Sequence, residues 1–361
     1  MSVNPLSISL GFRKDKYSFV SFESTVFGIF CFYEFMDTKR PTIPAAEEIL
    51  GGYFPVLDYG FVSLVDYMGS DEDVERAARV SYGFGTRKRS ATRGLIRYLR
   101  RHRHTTPSEM VEFKFHCAMP MFIARQWIRH RTASVNEYSG RYSLMPLLFY
   151  KPELEQFALQ SQANRQGRGE GAPRDVWMDA VDRWDRLRSD SSDTYRWLLE
   201  EDVTRELARI DLPLSTYTQW YWKIDLHNLL HFLSLRADAH AQWEIREYAG
   251  VIAGMMKRVA PLSYEAWVDY DLCGAAMSRG ELDVVARLLE PRGDNGVEAR
   301  PGGGLLDGTA LAALGLSSRE IQEFRDKLRP RDRLDFELDL TRMRSAESVA
   351  AEMERAVPVE E

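Results

Sequence analysis

The sequence predicts an α+β fold, in which the helices and strands of one chain mix without a regular βαβ repeat. Residues 92–103 repeat apolar side chains at helical spacing, with Leu95, Ile96 and Leu99 on one face. Residues 111–117 instead alternate apolar and polar side chains, which is the pattern of a half-buried strand. The chain has 361 residues, of which 44% are hydrophobic, so it can build one large core or two ordinary domains.

Capping residues and apolar spacing justify the other elements in chain order. Ser70–Asp73 resembles a capping box and predicts a helix that continues through Val80. Pro120 suits the start of the next helix. The remaining expectations are a helix at 121–129, a long helix at 175–200 with Ser191 as its candidate break, a strand at 214–222, a helix at 226–233 capped by Asp225, a helix at 238–259, and short helices at 305–316 and 321–328.

Changes in composition divide the chain into three regions. Residues 1–52 form an N-terminal extension that ends in prolines and the Gly51–Gly52 pair, which are boundary signals. Residues 53–272 are dense in Trp, Tyr, Arg and His, and the family resemblance described below implies that they are the catalytic domain. Residues 273–361 form a C-terminal extension of unknown role. Since the chemistry-bearing motifs lie before it, we expect a chain that ends near Leu272 to keep its activity.

Charge and cysteine content narrow the function classes. The net charge of −6 does not favour general binding to nucleic acid or an anionic membrane. The apolar run at 26–33 is too short to span a bilayer, so no membrane partner is expected. Cys31, Cys117 and Cys273 are far apart and form no disulfide pattern, which favours a reducing, cytoplasmic location.

A cluster of arginines is the most informative chemical feature. Arg125, Arg129, Arg131 and Arg141 lie within 17 residues and are interleaved with aromatic and aliphatic side chains. A planar guanidinium binds phosphate through two parallel hydrogen bonds, so the cluster suits a phosphorylated ligand. A solvated helix end is the simpler explanation of a charge run, but the interleaved apolar side chains do not fit a fully solvated face.

The same segment carries a family resemblance. Arg129-His130-Arg131, seven residues and then Ser139 match the Arg-His-Arg-x7-Ser signature of flavin-dependent thymidylate synthases. Blocks at 76–81 and 235–245 also read like that family, and the resemblance covers about residues 56–270. It implies the family's mixed helix and sheet fold without a Rossmann motif. It also implies an FAD enzyme that methylates dUMP to dTMP with 5,10-methylenetetrahydrofolate and NADPH or NADH, releasing tetrahydrofolate.

The resemblance further implies a homotetramer with FAD bound where subunits meet, and no resident metal. It assigns flavin contacts to His104, Thr106, Arg129, His130, Arg131, Glu137, Asp225, Leu226, His227 and His231. It assigns dUMP contacts to Gln126, Trp127, Ile128, Arg129, Glu137, Tyr138, Ser139, Gly140, Arg141, Arg209 and Arg236, with Arg236 in the catalytic role beside the pyrimidine.

One block departs from the familiar family pattern. Where some members have Asn-x-Arg and a later Asn around the flavin, this chain has Asp225, His227 and His231. An ionised aspartate cannot donate a hydrogen bond through its side chain, so these contacts must differ in chemistry.

The residues themselves support the implied reaction. Carbon 5 of uracil becomes nucleophilic only if negative charge can develop on the ring carbonyls, and a fixed arginine such as Arg236 would stabilise that charge. None of the three cysteines has a catalytic context, and Cys117 falls on the apolar face of its strand. Ser139 has no evident base, so we interpret it as a substrate ligand rather than a nucleophile.

Two other functions remain as alternatives. His227 and His231 have the i, i+4 spacing of metal ligands, which favours a metal-dependent hydrolase, but Asn228 stands where a zincin has its glutamate. The basic stretch at 87–103 has helical spacing and could belong to a nucleic-acid-binding protein. Gly83-Phe84-Gly85 lacks the third glycine of a dinucleotide fingerprint and is a negligible signal.

Overall fold

The computed structural model describes residues 40–80, 92–162, 167–292, 296–299, 307–329 and 332–358. The expectations for Cys31, the run at 26–33, Gly83–Gly85 and the basic residues 87–89 lie outside this description. The strands are β1 (Tyr53–Val56), β2 (Gly60–Met68), β3 (Glu112–Pro120), β4 (Ser134–Glu137), β5 (Ala158–Gln160), β6 (Arg168–Gly171), β7 (Tyr217–Asp225), β8 (Leu289–Arg292) and β9 (Gly296–Ala299).

Helices of very different lengths surround these strands. They are α1 (Pro44–Glu47), α2 (Asp71–Val80), α3 (Thr92–Arg101), α4 (Met121–Trp127), α5 (Arg174–Glu200), α6 (Arg205–Ala208), α7 (Leu226–Arg236), α8 (Trp243–Val259), α9 (Pro261–Trp267), α10 (Arg279–Leu288), α11 (Gly308–Ala313), α12 (Ser318–Lys327) and α13 (Ala346–Arg355).

The main sheet has the order β1-β2-β3-β7-β4, and its four strand pairings are antiparallel. The longest pairing joins β3 to β7, from Glu112 opposite Asp225 to Pro120 opposite Tyr217. This arrangement confirms the predicted α+β class. A dinucleotide-binding fold of the Rossmann type would instead need parallel strands joined by helical crossovers.

The core lies on one face of this sheet, under α4, α7 and α8. Strand alternation turns Phe113, Phe115 and Cys117 to that face, where they are fully buried, as the sequence pattern predicted. The ring of Trp127 stacks on Phe232 of α7, with 5.0 Å between ring centroids. Aromatic side chains therefore fasten the helices that carry the polar site to the rigid sheet.

Local hydrogen bonds move several predicted boundaries. The strand expected at 214–222 runs from Tyr217 to Asp225, because Thr216 instead closes a turn on the Pro213 carbonyl. The helix expected from Asp238 begins at Trp243, since the Asp238 carboxylate accepts from the His240 backbone N–H and holds a turn. Helix α4 ends at Trp127, two residues before its predicted end.

The long helix α5 is continuous through Ser191, so the candidate break there is wrong. The Ser191 hydroxyl donates to the Asp211 carbonyl 2.9 Å away, and therefore does not compete with the helix backbone. The predicted Asp225 cap is confirmed, because its carboxylate accepts from the Asn228 backbone N–H at 2.9 Å.

Segments outside the predicted catalytic domain pack on its core or beside it. Ala46 and Ile49 are fully buried in the main core. A separate apolar cluster joins α10, α11 and α12 around Val284 and Phe324. Residues 332–343, named here the C-terminal strap, lie along α8 and α9, where Phe336 and two leucines pack against the main core. The boundaries at residues 52 and 273 stay predictions.

Candidate active site

The Arg-His-Arg segment leaves the core directly after a buried anchor. Trp127 is fully buried at the end of α4, with its ring edge against Trp220 and Trp222. Ile128 is 37% exposed, and Arg129 and Arg131 project to solvent. The anchored tryptophan therefore fixes where the two arginines emerge. Trp127 is enclosed with its backbone, and its carbonyl accepts from the His130 N–H at 3.0 Å, so its predicted dUMP contact stays a prediction.

A cleft of about 300 Å³ opens between this segment and α7. It brings together four residues predicted to contact flavin, the catalytic candidate and four neighbours. Its walls are Arg129, His130, Arg131, Thr132, Ile224, Asn228, His231, Leu235 and Arg236. A cationic cleft of this kind suits an anionic ligand.

Arg236 and His130 meet directly at the cleft wall. The Arg236 Nε–H donates to His130 Nε2 at 3.0 Å, and Nη2 donates to the Gln126 carbonyl at 3.4 Å. Burial, followed by the charges of Arg236 and His231, lowers the pKa of His130 to about 4, so the ring is neutral at pH 7. Burial also lowers the pKa of Arg236. The last turn of α7 thus presents a fixed guanidinium.

Several predicted flavin ligands lie on the first turn of α7 or next to it, and most of them contact other parts of the protein. Both carboxylate oxygens of Asp225 accept from Asn228, one from its backbone N–H and one from its side-chain amide at 2.7 Å. Leu226 is 0% exposed, backbone included, and its N–H donates to the Val111 carbonyl at 2.7 Å, so its predicted flavin contact stays a prediction. His227 Nδ1 is buried without a hydrogen-bond partner in the described part of the chain. His231 is exposed, and its ring centroid lies 5.8 Å from that of His130.

A second cluster of side chains surrounds Ser139, the last residue of the signature. A Cβ on Gly140 would lie 2.6 Å from the Met145 sulfur and 3.0 Å from Cδ of Arg209, so glycine lets these chains meet. Ser139 Oγ accepts from the Arg141 backbone N–H at 3.3 Å. The Arg141 guanidinium pairs with Glu206 at 2.8 Å on the surface. The Tyr138 hydroxyl donates to the Leu144 carbonyl and fixes the loop from within.

The remaining predicted ligands lie on neighbouring elements. Glu137 ends β4 and accepts from the Thr218 hydroxyl at 2.8 Å. His104 is exposed beside Tyr98, and Thr106 begins a 3-10 turn, Thr106–Met110, that packs against α7. Within the residues that the structure describes, no hydrogen bond or ion pair joins Ser139 or Arg141 to Arg236.

Comparisons with known proteins identify the family. The family model described as "Thymidylate synthase complementing protein" matches residues 63–262. A flavin-dependent thymidylate synthase of Gluconobacter oxydans is 54% identical over 255 residues, which are 70% of this chain and 84% of the relative. One of Ehrlichia ruminantium is 51% identical over 277 residues, 75% of this chain and 92% of the relative.

The chain belongs to the flavin-dependent thymidylate synthase family.

A solved structure of the same fold supports this family assignment. The UMP/dUMP methylase PolB of Streptomyces cacaoi, bound with 5-Br UMP, is 34% identical and has a TM-score of 0.55. The match covers 61% of this chain and 98% of that chain. Family membership makes this chain an enzyme of the methyltransferase class.

Sequence reasoning missed a polar network behind this family's signature segment. The Gln126 amide donates to Gln242, which donates to Glu244 at 2.9 Å. Glu244 is 2% exposed and also accepts from the Tyr150 hydroxyl at 3.0 Å and from Arg168 of the β5–β6 hairpin. Gln242 and Glu244 stand in the block that resembles the family, so their position was available. No local pattern pointed to Arg168.

The described residues also bear on the alternatives to flavin-dependent synthase chemistry. Across the described ranges, no group of three His, Cys, Asp or Glu side chains is placed to hold a metal ion. The basic face of α3 pairs with acids, as Arg97 reaches Glu265 at 2.7 Å and Asp269 at 2.5 Å. Those pairs neutralise charge that a nucleic-acid surface would need. Within those ranges, no helix combines the length and apolar character needed to cross a bilayer.

Proposed function

We propose that this chain catalyses the reductive methylation of dUMP to dTMP. In this proposal 5,10-methylenetetrahydrofolate donates the carbon, NADPH or NADH is the reductant, FAD is the redox cofactor, and tetrahydrofolate is released. The observation that carries the proposal is the cleft in which Arg236 meets the Arg129–Arg131 segment. Family membership and the similarity to PolB, a UMP/dUMP methylase, support dUMP as the substrate.

The residues at the cleft fit a flavin dinucleotide. Arg129 and Arg131 are exposed cations beside the opening and match the charge of a pyrophosphate. His227 does not line the cleft, but its buried Nδ1 has no hydrogen-bond partner among the described residues, and a ligand group that reached it would satisfy it. The proposed flavin ligands remain those of the resemblance. In the structure the Asp225 carboxylate is already bound by Asn228, and Leu226 is fully buried. FAD, when bound, supplies the reducing electrons.

The second cluster suits the phosphate of dUMP. Ser139 offers a hydroxyl, Gly140 lets Met145 and Arg209 pack closely against the loop, and Arg141 and Arg209 supply guanidinium groups. The Arg141–Glu206 pair is more than half exposed on both sides, so its loss costs about 0–1 kcal/mol and a phosphate can replace the carboxylate. Gln126, Ile128, Glu137 and Tyr138 complete the proposed dUMP contacts.

Arg236 is the proposed catalytic residue. Its guanidinium is held by two acceptors, so it would meet negative charge on the uracil carbonyls without first reorganising. Developing charge on those oxygens accompanies nucleophilic attack from carbon 5. A lysine could not hold the same two contacts with a planar fork.

A cysteine nucleophile has no support at this site. Cys117 is fully buried in the core, and burial raises the pKa of its thiol well above the usual range. Cys273 lies by the C-terminal strap, where its sulfur accepts from the Leu334 backbone N–H at 3.5 Å. Both are free thiols. The reducing, cytoplasmic location stays a proposal from the spacing of the cysteines in the sequence.

A homotetramer with FAD at its subunit boundaries is also proposed. Only Ser192 and Tyr195 of the 27 residues in α5 are buried in the single chain. Met178, Leu187 and Trp197 of that helix are 51%, 64% and 55% exposed. Large apolar side chains exposed along one helix are typical of a surface that another subunit covers.

One experiment tests the function. Purified protein should show flavin absorbance and should form dTMP from dUMP, methylenetetrahydrofolate and NADPH, with light scattering giving four chains. A variant with Arg129→Ala and Arg131→Ala should lose FAD. Arg319→Ala, whose side chain is 87% exposed on α12, is the matched control and should keep it. A colourless protein that FAD cannot reconstitute, or a flavoprotein that forms no dTMP, would contradict the proposal.

A further inference from the structure

We infer that His130 is a positioning residue for Arg236, acting through the lone pair of its Nε2 atom. The inference rests on the proposed function and adds to it a residue that sets the orientation of the catalytic guanidinium. His130 is therefore more than a flavin contact within the Arg-His-Arg segment.

Geometry gives the first argument. Arg236 stands on the last turn of α7, and its two recorded acceptors both come from the chain around α4. The bond to His130 Nε2 is 3.0 Å long, whereas the bond to the Gln126 carbonyl is 3.4 Å, near the outer limit of a hydrogen bond. His130 is thus the stronger of the two supports. Without it a single long hydrogen bond would leave the guanidinium plane free to rotate.

The proton on the imidazole follows from this contact. An arginine stays protonated and can only donate, so His130 Nε2 must be the acceptor and Nδ1 must carry the hydrogen. A protonated imidazole could not accept, and its charge would repel the guanidinium. Burial keeps the ring neutral, which agrees with the acceptor role. The Nδ1–H group then remains a donor that the contact with Arg236 does not use.

Packing holds the ring in place from the other side. The His130 ring meets Phe232 edge to face, with 4.9 Å between centroids, and Phe232 itself is fully buried against Trp127. The aromatic core therefore orients the imidazole, and the imidazole orients Arg236. A side chain of similar size without an acceptor would keep the packing and lose only the hydrogen bond.

That difference separates a positioning role from a structural one. His130→Leu keeps an apolar side chain against Phe232 but removes the acceptor. His130→Gln places an amide oxygen near the former Nε2 position and restores it. We expect His130→Leu to slow the oxidation of reduced flavin by dUMP and methylenetetrahydrofolate about tenfold, as for a lost hydrogen bond to a charged group. His130→Gln should recover most of that rate, and flavin reduction by NADPH should change less in both variants.

A double-mutant cycle supplies the decisive measurement. In an Arg236→Ala background, His130→Leu should cause little further loss in single-turnover rate, because the residue through which it acts is gone. The affinity for dUMP, measured by calorimetry, should follow the same pattern. His240→Leu, at a side chain 89% exposed, is the control for a surface histidine.

The outcomes are distinct. Equal losses in His130→Leu and His130→Gln, additive losses in the cycle, or failure of both variants to hold FAD at saturating cofactor would each overturn the inference. Wild-type protein that makes no dTMP would instead refute the proposed function. Recovery by glutamine together with a non-additive cycle supports the positioning role.

Discussion

Loss of the C-terminal strap should destabilise the catalytic domain, although every signature residue lies before it. The sequence alone predicts that a chain ending near Leu272 keeps its activity. In the structure the Tyr264 hydroxyl donates to Asp335 at 2.8 Å and accepts from the Phe336 backbone N–H at 2.7 Å. Leu338 also reaches α8 so closely that a Cβ on Gly254 would lie 2.9 Å from it.

These contacts allow the magnitude to be worked out. Phe336, Leu338 and Leu340 are partly buried against the main core, and each contributes about 1 kcal/mol, roughly half the value for full burial. The two hydrogen bonds of Tyr264 contribute about 1 kcal/mol each. The exposed Lys257 pairs add little. The total of about 5 kcal/mol is comparable to the whole stability of many domains.

The assay is thermal and denaturant unfolding of chains ending at Leu272 and at Leu328, together with their flavin content. Both should unfold far more easily than the full chain, and loss of flavin should follow loss of structure. Leu338→Ala should cost about 1–2 kcal/mol. Leu334→Ala, at a side chain 45% exposed on the same strap, should cost under about 0.5 kcal/mol. Truncated chains with the unfolding midpoint of the full chain would refute the reasoning.

Three further predictions concern the site. Arg236→Lys should slow the dUMP-dependent step about a hundredfold in stopped-flow measurements while flavin reduction changes less; a normal rate for that step contradicts the assignment. A folded protein with all three cysteines changed to alanine should still form dTMP, and loss of turnover with flavin and dUMP still bound would count against it. Gly140→Ala should raise KM for dUMP about tenfold, because the added methyl forces the Met145 sulfur to move; an unchanged KM shows that the loop adapts freely.

The sequence correctly predicted those elements of the fold that depend on interactions between neighbouring residues. The Asp225 cap, the buried face of β3 and the helix after Pro120 each depend on neighbours within a few residues. The predicted start of α8 at Asp238 was wrong because the Asp238 carboxylate holds a turn by accepting from the His240 N–H. Helical periodicity does not show that a side chain competes with the helix for a backbone N–H.

Tertiary contacts account for what sequence reasoning could not find in the site. The signature placed His130 in the cleft wall, but its bond to Arg236 joins residues 106 positions apart. Likewise Arg168 reaches Glu244 from a hairpin with no chemical motif of its own. The type of a residue indicates which kinds of partner its side chain can bind. Only the packing of the sheet and helices decides which partner lies close enough.

The β3–β7 pairing has a consequence for how the chain acquires its structure during synthesis. Its partners are separated by roughly a hundred residues, and closing so long a loop precedes any gain from pairing. As the ribosome releases the chain, β3 therefore emerges with one edge unpaired until β7 follows. That edge belongs to a strand with Phe113 and Phe115 on one face, a combination prone to aggregation. Slow translation between these two strands should lower the yield of folded enzyme, and a chaperone that shields β3 should restore it.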